Sequence, residues 1–246
     1  MNKNRALTAC LTVFFVLAHL FVGTASAAPI KGKDALHETA IIDAALLLVE
    51  ANTFDASVQE NWPQDLLNLS HLLKPEGSEL AWDFQQFRYL KLLKRPIATS
   101  GRLDVTLKGD DIAVNWKVVK PVASEFRIEN GKVKQKKKGK WQGLGSAEQP
   151  AFVFVSRVMN QALLGDFSSL SEHFDIYFLP NIKGGWSIGL KPKDIKSQLA
   201  SMVEYITLTG LTHKNTSKVS AELSQIMIMD VRGEASLIEL RALKSL

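Results

Sequence analysis

Ser171, His173 and Asp175 are the residues of this 246-residue chain whose types and spacing come nearest to a catalytic arrangement. They alternate along the sequence, so on a strand they would share one face. A serine–histidine–acid triad needs its groups to arrive from different elements, because the base must be oriented between the nucleophile and the acid. Three neighbours on one strand do not meet this requirement, and we interpret His173 as a surface residue. The sequence offers no catalytic residue, and we do not expect an enzyme.

Two other kinds of chemical site are also incomplete. Residues 143–147 read GLGSA, which is neither a nucleophile elbow nor a dinucleotide-binding loop with its three glycines. The histidines beyond the first 27 residues lack a second histidine or a carboxylate at metal-ligand spacing. These histidines are His37, His71, His173 and His213. We expect no metal site and no cofactor.

Six lysines followed by a tryptophan form the densest cluster of charge in the chain. They are Lys132, Lys134, Lys136, Lys137, Lys138 and Lys140, and Trp141 follows. One interpretation is a contact for phosphate head groups or for an acidic partner. The other is an edge strand or hairpin tip whose lysines prevent pairing with another chain, and we favour it although six lysines exceed that need. Nucleic acid is not expected, because the run lacks interleaved aromatic side chains for base stacking.

The first 27 residues have the composition of an export signal. Lys3 and Arg5 precede an apolar stretch, residues 6–23, and Ala25-Ser26-Ala27 fits a cleavage site. An uncleaved membrane anchor is the competing interpretation, but polar residues interrupt the apolar stretch, which is short for a membrane span. We expect cleavage near Ala27 and a protein that works outside the cytoplasmic membrane. Its formal net charge falls from +5 to +3 with the loss of the two cations, which suits an anionic lipid surface without requiring one.

Cys10 is the single cysteine of the chain and lies within this export signal. A lipoprotein signal places its apolar stretch before the cysteine, whereas here the stretch continues after it. We therefore expect a processed protein with no disulfide, no cysteine metal site and no lipid anchor.

Alternating apolar and polar residues predict a set of β-strands in the centre of the chain. Residues 103–107, 112–118 and 126–128 each place apolar side chains at every second position. Asn130-Gly131 follows the third run and predicts a tight hairpin. Successive hairpins give an antiparallel sheet with one apolar face and one polar face. Further strands are expected within residues 80–92, 174–190, 205–209, 219–229 and 236–243.

Three segments have the apolar periodicity of a helix. The first two are residues 34–51 and 64–73. The clearest begins at the capping pair Ser146 and Gln149 and ends at Gly165. We expect these helices to pack on the apolar face of the sheet. The apolar stripe of the third helix comprises Phe152, Val155, Met159, Ala162 and Leu163.

Short motifs in a fixed order along the chain give a resemblance to a known family. They are Phe84-x-Gln86, Pro96 to Gly101, Asn115-Trp116 with Pro121, Asn130-Gly131, Gly165-Asp166, Trp186-x-x-x-Leu190-x-Pro192, Leu208-Thr209-Gly210 and Gly233-Glu234. In this order the chain resembles the periplasmic outer-membrane lipoprotein carriers, the LolA-like proteins. The carriers typically have Arg-Pro and a Phe where this chain has Asp110, Asp111 and Val114. This departure suggests a specialised LolA-like branch instead of the housekeeping carrier.

The resemblance implies a fold, a domain organisation and a function. The fold would be α+β and mainly β, a curved, unclosed antiparallel barrel whose helices plug a hydrophobic cavity. Residues 1–27 would be the signal peptide, residues 28–61 an N-terminal helical extension, and residues 62–246 the carrier domain. The protein would be a monomeric carrier, a chaperone for acyl chains. It would accept a lipoprotein or lipid from an inner-membrane releasing complex and pass it to an outer-membrane acceptor.

The apolar positions of the predicted strands and of the third helix indicate which side chains line such a cavity. A sensor or scaffold of the same fold is the alternative function, and an enzyme modifying lipid esters is the least favoured. An adaptable lining of aromatic, aliphatic and methionine side chains suits a carrier that must also release its cargo. The expected lining is Leu103, Val105, Val114, Trp116, Phe126, Ile128, Phe152, Val155, Met159, Phe178, Trp186 and Ile188.

Overall fold

The computed structural model describes residues 52–54, 64–73, 79–108, 111–129, 132–143, 158, 161–162, 164–182, 185–197, 199–214 and 219–243. Within these ranges the bounds of two helices and twelve strands are defined. The helices are α1 (Gln64–Leu73) and α2 (Phe167–Ser171). The strands are β1 (Asn52–Phe54), β2 (Glu79–Tyr89), β3 (Ile97–Lys108), β4 (Asp111–Lys120), β5 (Ser124–Glu129), β6 (Lys132–Lys137), β7 (Lys140–Gly143), β8 (Phe174–Ile182), β9 (Gly185–Pro192), β10 (Val203–Lys214), β11 (Val219–Asp230) and β12 (Ala235–Ala242).

All twelve described strands belong to one antiparallel sheet, in the order β1-β8-β9-β10-β11-β12-β2-β3-β4-β5-β6-β7. Two meanders, β2–β7 and β8–β12, are joined where β12 pairs with β2. In the described part of the chain the outermost strands, β1 and β7, do not pair with each other, so the sheet is open. The predicted fold class, a mainly β protein built on an unclosed antiparallel barrel, is confirmed.

The alternation read from the sequence sets which side chains point to which face. In β3, Leu103 and Val105 are buried, whereas Arg102 and Asp104 point the opposite way and form an ion pair of 2.6 Å between Nε and Oδ1. We call the face that carries Leu103 the inner face and the other the outer face. A sheet of this many twisted strands coils instead of lying flat. Helix α1 packs against both β8 and β11, which two strands separate, so the inner face is the concave one.

Several local predictions are confirmed. Helix α1 has the predicted bounds, and its buried residues are Leu66, Leu69 and Leu73. Glu129 of β5 lies opposite Lys132 of β6, which is the register of a two-residue hairpin. In β11 the alternation slips after Leu223, and the structure has its register shift there: Thr209 pairs with Gln225 while Gly210 pairs with Leu223. The slip is therefore a β-bulge that bends the strand.

The described residues include part of one predicted helix and none of another. The predicted helix 34–51 lies outside the described residues. Of the predicted helix 146–165, Val158 and residues 161–162 are helical, and Val158 and Ala162 are buried in the same apolar cluster as the inner face. The sheet itself begins before residue 62, because β1 pairs with β8 and places Asn52 opposite Phe178. It thus includes three residues of the segment assigned to the N-terminal extension.

The expectation that Ser171, His173 and Asp175 share a strand was wrong. Ser171 ends α2, where its hydroxyl donates to the Ser168 carbonyl at 2.6 Å, and it is buried. His173 lies in the turn after α2 and is half-buried instead of exposed, while Asp175 is in β8. The cap of α2 explains the difference, since the Asp166 carboxylate accepts the Ser169 N–H at 3.2 Å and starts a helix there.

A second, smaller apolar cluster lies on the outer face. It consists of Phe87, Tyr205, Met227 and Leu237, with Tyr89 and Met229 packed against it. Leu237 lies opposite Phe87, one residue away from Ile238, which belongs to the inner face. Both faces of β2, β12, β11 and β10 therefore carry apolar side chains, which makes this part of the sheet the most buried.

Candidate functional site

The inner face of β3–β6 is a wall of apolar side chains in two rows. Leu103, Trp116 and Phe126 face one another across β3, β4 and β5. Val105, Val114 and Ile128 form the next row in the same way. All six are buried, with exposed fractions between 1% and 7%. The register of the sheet thus brings six of the predicted lining residues into one continuous surface.

The C-terminal half of the sheet adds a second apolar wall. Phe178 of β8 lies opposite Ile188 of β9, which lies opposite Leu208 of β10. Trp186 is two residues from Ile188 and shares its face. Nine of the twelve predicted lining residues, all those in strands, belong to the same apolar cluster. Phe152, Val155 and Met159 lie outside the described residues, and the role of all twelve in lipid binding stays a prediction.

Two glycines shape this wall by leaving room for aromatic rings. A Cβ at position 210 would collide with the Trp186 indole and with the Glu222 carbonyl. A Cβ at position 101 would lie 2.9 Å from the Phe84 ring and would also collide with the Lys117 carbonyl. Phe84 in turn packs on Trp116, with ring centroids 4.8 Å apart and planes tilted by 52°. Close approach of backbone and ring therefore requires glycine at both positions.

Polar atoms interrupt the apolar wall at a few points. Among the described residues, the indole N–H groups of Trp116 and Trp186 and Oε1 of Gln135 are buried and make no hydrogen bond. Gln135 lies opposite Phe126, in the row of Trp116. Leaving a buried polar atom unsatisfied costs about 1–3 kcal/mol. These three atoms are polar positions on the inner face that lack a hydrogen-bond partner within the described residues.

Gln135 is a residue that the sequence analysis missed. It lies within the run of lysines, where Val133 and Gln135 alternate with charged residues. Both are buried on the inner face, with exposed fractions of 1% and 6%. The period-two pattern was the signal that could have identified Gln135.

Helix α1 covers part of the inner face and is fastened at one point by a polar contact. Leu66, Leu69 and Leu73 enter the apolar cluster together with Phe167 and Leu170 of α2. The Ser70 hydroxyl donates to the Gly165 carbonyl at 2.6 Å. Gly165 has φ of 65° and lies against the Ser70 carbonyl, where a Cβ would come within 2.8 Å. The turn before α2 thus holds α1 in place.

The run of lysines forms the β6–β7 hairpin, and β7 is the outermost described strand on this side of the sheet. The predicted edge position is confirmed. The Arg127 guanidinium and the Lys136 ammonium lie 5.3 and 5.5 Å from the centre of the Trp141 ring, within the range of cation–π attraction. Burial opposes ionisation of Glu125, but hydrogen bonds from Lys136 and Asn115 and the charges of Lys136 and Lys117 outweigh it and hold the pKa of Glu125 below its ordinary value.

Neither a metal site nor a membrane-spanning helix occurs within the described residues. They contain no group of three or more His, Cys, Asp or Glu side chains placed to hold a metal ion. None of the helices within the described ranges is long and apolar enough to cross a membrane. The inner face remains the extended apolar surface on which the predicted lining residues converge.

No protein-family model matches the sequence, and no curated protein matches it. Among solved structures the chain is similar to LprF from Mycobacterium bovis, with 17% identity over 72% of this chain and 90% of that one, and a TM-score of 0.39. It is also similar to a LolA superfamily protein from Nitrosomonas europaea, with 12% identity over 74% and 94% of the two chains, and a TM-score of 0.36. The similarity to Mycobacterium tuberculosis lipoprotein LppX has 11% identity over 74% and 93%, and a TM-score of 0.39.

Proposed function

We propose that this protein binds the acyl chains of a lipid or lipoprotein against the inner face of its sheet and carries them across the periplasm towards the outer membrane. The observation that carries the proposal is the continuous apolar wall contributed by β3–β6 and β8–β10. Burial of an acyl chain contributes about 0.8 kcal/mol per CH₂ group, so a long chain cannot cross water unprotected. The proposal includes a monomeric protein, cleavage of the export signal and no catalytic step.

Cargo would enter by separating the helices from the sheet. The inner side chains are buried in the closed chain, so an acyl chain must take the place of something that covers them. The sheet is open between β1 and β7, and α1 is held by three leucines and the Ser70–Gly165 hydrogen bond. Apolar contacts are non-directional, so an acyl chain replaces the leucines at little cost in free energy.

The polar end of the cargo would bond the unsatisfied atoms of the inner face. The Trp116 indole N–H suits an ester or amide carbonyl, and Oε1 of Gln135 suits a hydroxyl or an amide N–H. They lie in one row with Phe126 between them, so the head of a lipid could lie across β4–β6 while its chains extend along the apolar wall. The orientation of cargo would follow from these two bonds.

The experiment is a fluorescence titration of the processed protein with three ligands. They are a brominated fatty acid, its methyl ester and an unsubstituted bromoalkane. Trp116 and Trp186 lie on the inner face, so bound bromine is expected to quench them saturably. Trp116→Phe keeps the ring and removes the N–H donor. It is expected to weaken ester binding about fivefold, the loss of one hydrogen bond worth about 1 kcal/mol, with little effect on an unsubstituted bromoalkane.

The control for that experiment lies on the outer face. Trp141 is at the edge hairpin, and Trp141→Phe should bind the ester and the bromoalkane as the parent protein does. Absence of saturable quenching in the parent protein would rule out the binding proposal. Binding without transfer of lipid from donor to acceptor vesicles would instead favour the sensor or scaffold, for which the basic β6–β7 hairpin offers a contact surface.

A further inference from the structure

Six exposed large apolar side chains lie at one end of the strands. The loops β2–β3, β4–β5, β9–β10 and β11–β12 all turn at this end, because each joins antiparallel neighbours in the sheet order. The exposed fractions of the six side chains are 95% for Leu92, 48% for Leu93, 51% for Val119, 48% for Val122, 82% for Ile195 and 46% for Val231. Single exposed apolar residues are ordinary, but a group of them at one end indicates an interaction surface.

The same loops are strongly basic. We call residues 90–95, 119–123, 193–196 and 231–234 the docking rim. Its acids are Asp194 and Glu234. Its cations, all exposed, are Lys91, Lys94, Arg95, Lys120, Lys193, Lys196 and Arg232. The tip of the β6–β7 hairpin, with Lys137, Lys138 and Lys140, turns at this end as well and extends the positive potential along the sheet.

Two neighbouring loops of the docking rim lie against each other. A Cβ at Gly233 would lie 3.1 Å from Nζ of Lys91, so the β2–β3 loop and the β11–β12 turn adjoin. Arg232 donates to the Asp230 and Glu234 carboxylates at 2.9 Å each, so its single positive charge offsets part of the charge of these two acids. The β2–β3 loop itself, Leu90 to Arg95, holds two exposed leucines and three cations without an acid.

We propose that the docking rim binds the surface of an anionic lipid bilayer. The apolar side chains project from separate loop tips and do not line a groove, an arrangement that suits insertion between lipid head groups better than docking of a peptide. Lysine and arginine beside them reach the anionic head groups while their aliphatic stems lie along the apolar layer. The inference goes beyond the proposed function, since the rim would bind a membrane with or without cargo in the interior.

The experiment is sedimentation of the processed protein with vesicles of phosphatidylcholine alone and of phosphatidylcholine mixed with phosphatidylglycerol. Binding is expected on the anionic vesicles and should weaken as salt is added, because salt screens exposed charges. The double variant Leu92→Ser/Leu93→Ser is expected to lose about tenfold or more in affinity. Lys94→Glu should lose about tenfold, since a cation near the surface is replaced by an anion.

A matched control lies at the opposite end of the strands. Leu211→Ser/Val219→Ser removes two apolar side chains that are 45% and 42% exposed there. It should bind the anionic vesicles as the parent protein does. Equal losses in rim and control variants, or no binding of the parent protein, would overturn the inference. The inference would also be overturned if Leu92→Ser/Leu93→Ser changed the sedimentation coefficient of the protein alone but not its binding to vesicles. That result would identify the rim as an interface between protein molecules.

The two proposals fail separately. Quenching by the brominated fatty acid reports on the inner face, and vesicle sedimentation reports on the docking rim. Rim variants that keep the parent quenching and melting temperature are folded and competent for cargo, so their loss of vesicle binding belongs to the rim alone.

Discussion

Arg88 is a buried cation, and the charges around it determine how much its burial lowers the free energy of unfolding. It is 5% exposed and lies on the inner face near the docking rim, with its guanidinium 3.9 Å from the Glu234 carboxylate. Burial lowers the pKa of Arg88 to about 10, and the charge of Glu234 opposes that shift while Arg232 adds to it. A small cleft beside it is lined by Met202, Val203, Ile228, Asp230, Glu234, Ala235 and Ser236. Glu234 is therefore shared between two arginines, one buried and one exposed.

Replacing Glu234 by glutamine is expected to destabilise the protein by about 2 kcal/mol. The change removes the carboxylate charge that most opposes the effect of burial on Arg88, and weaker compensation of a buried cation costs stability. Urea denaturation measures the effect. In an Arg88→Met background the same change should cost clearly less, because the buried charge is gone. Asp104→Asn, which breaks an exposed ion pair with Arg102, serves as the control and should change little. Equal costs with and without Arg88 would contradict this account.

At the scale of single elements, the sheet depends on close approach of backbone to aromatic rings. Strand β10 places Gly210 opposite Trp186 of β9, and the indole covers the glycine. The same indole carries one of the unsatisfied N–H groups of the inner face. A side chain at position 210 would therefore move both the strand pairing and a group that we propose for cargo binding.

Gly210→Ala is expected to lower the free energy of unfolding by about 1–3 kcal/mol, since the added methyl group overpacks a filled site. It should also reduce quenching of Trp186 by the brominated fatty acid. Gly143→Ala is the matched control, because a Cβ there meets no atom within 4 Å. A melting temperature of Gly210→Ala equal to that of Gly143→Ala would show that the ring can move aside at no cost.

At the scale of the whole molecule, sheet and helices form two layers, and under the proposed function these layers must separate for cargo to enter. The sheet is held by a long series of backbone pairings, whereas α1 is held mainly by side chains. Opening is therefore expected at the helix layer, since apolar contacts exchange readily and paired strands do not. With the docking rim on a bilayer, one end of the sheet would face the membrane while the helix layer opens.

Ser70→Ala tests whether α1 must separate from the sheet before cargo enters. It removes the hydrogen bond from α1 to the Gly165 carbonyl, which is worth about 1 kcal/mol. Uptake of the brominated fatty acid, followed by stopped-flow quenching, is expected to become about fivefold faster if opening limits the rate. Ser171→Ala removes a bond of the same length, 2.6 Å, that stays within α2, and it should leave the rate unchanged. Unchanged uptake in Ser70→Ala would exclude opening at this contact.

The sequence by itself determined the features that depend on local periodicity. Alternation fixed which side chains of β3, β4 and β5 face inward, and the slip after Leu223 located the bulge of β11. Proline and the leucine stripe gave the bounds of α1. These patterns are readable because a strand or helix places each side chain by its position in the repeat, whatever the partner.

Only the tertiary structure decided which of these faces and loops meet. Pairing of β12 with β2 joins residues far apart in the sequence, as in the 2.7 Å contact between Arg241 and Asp83. It also brings the loops of Leu92 and Val231 to one end of the sheet, which no local pattern records. The five-residue helix α2 escaped prediction because it is shorter than two turns and depends on its cap at Asp166. Long-range strand order is set by the sum of many weak contacts, so sequence periodicity alone leaves it open.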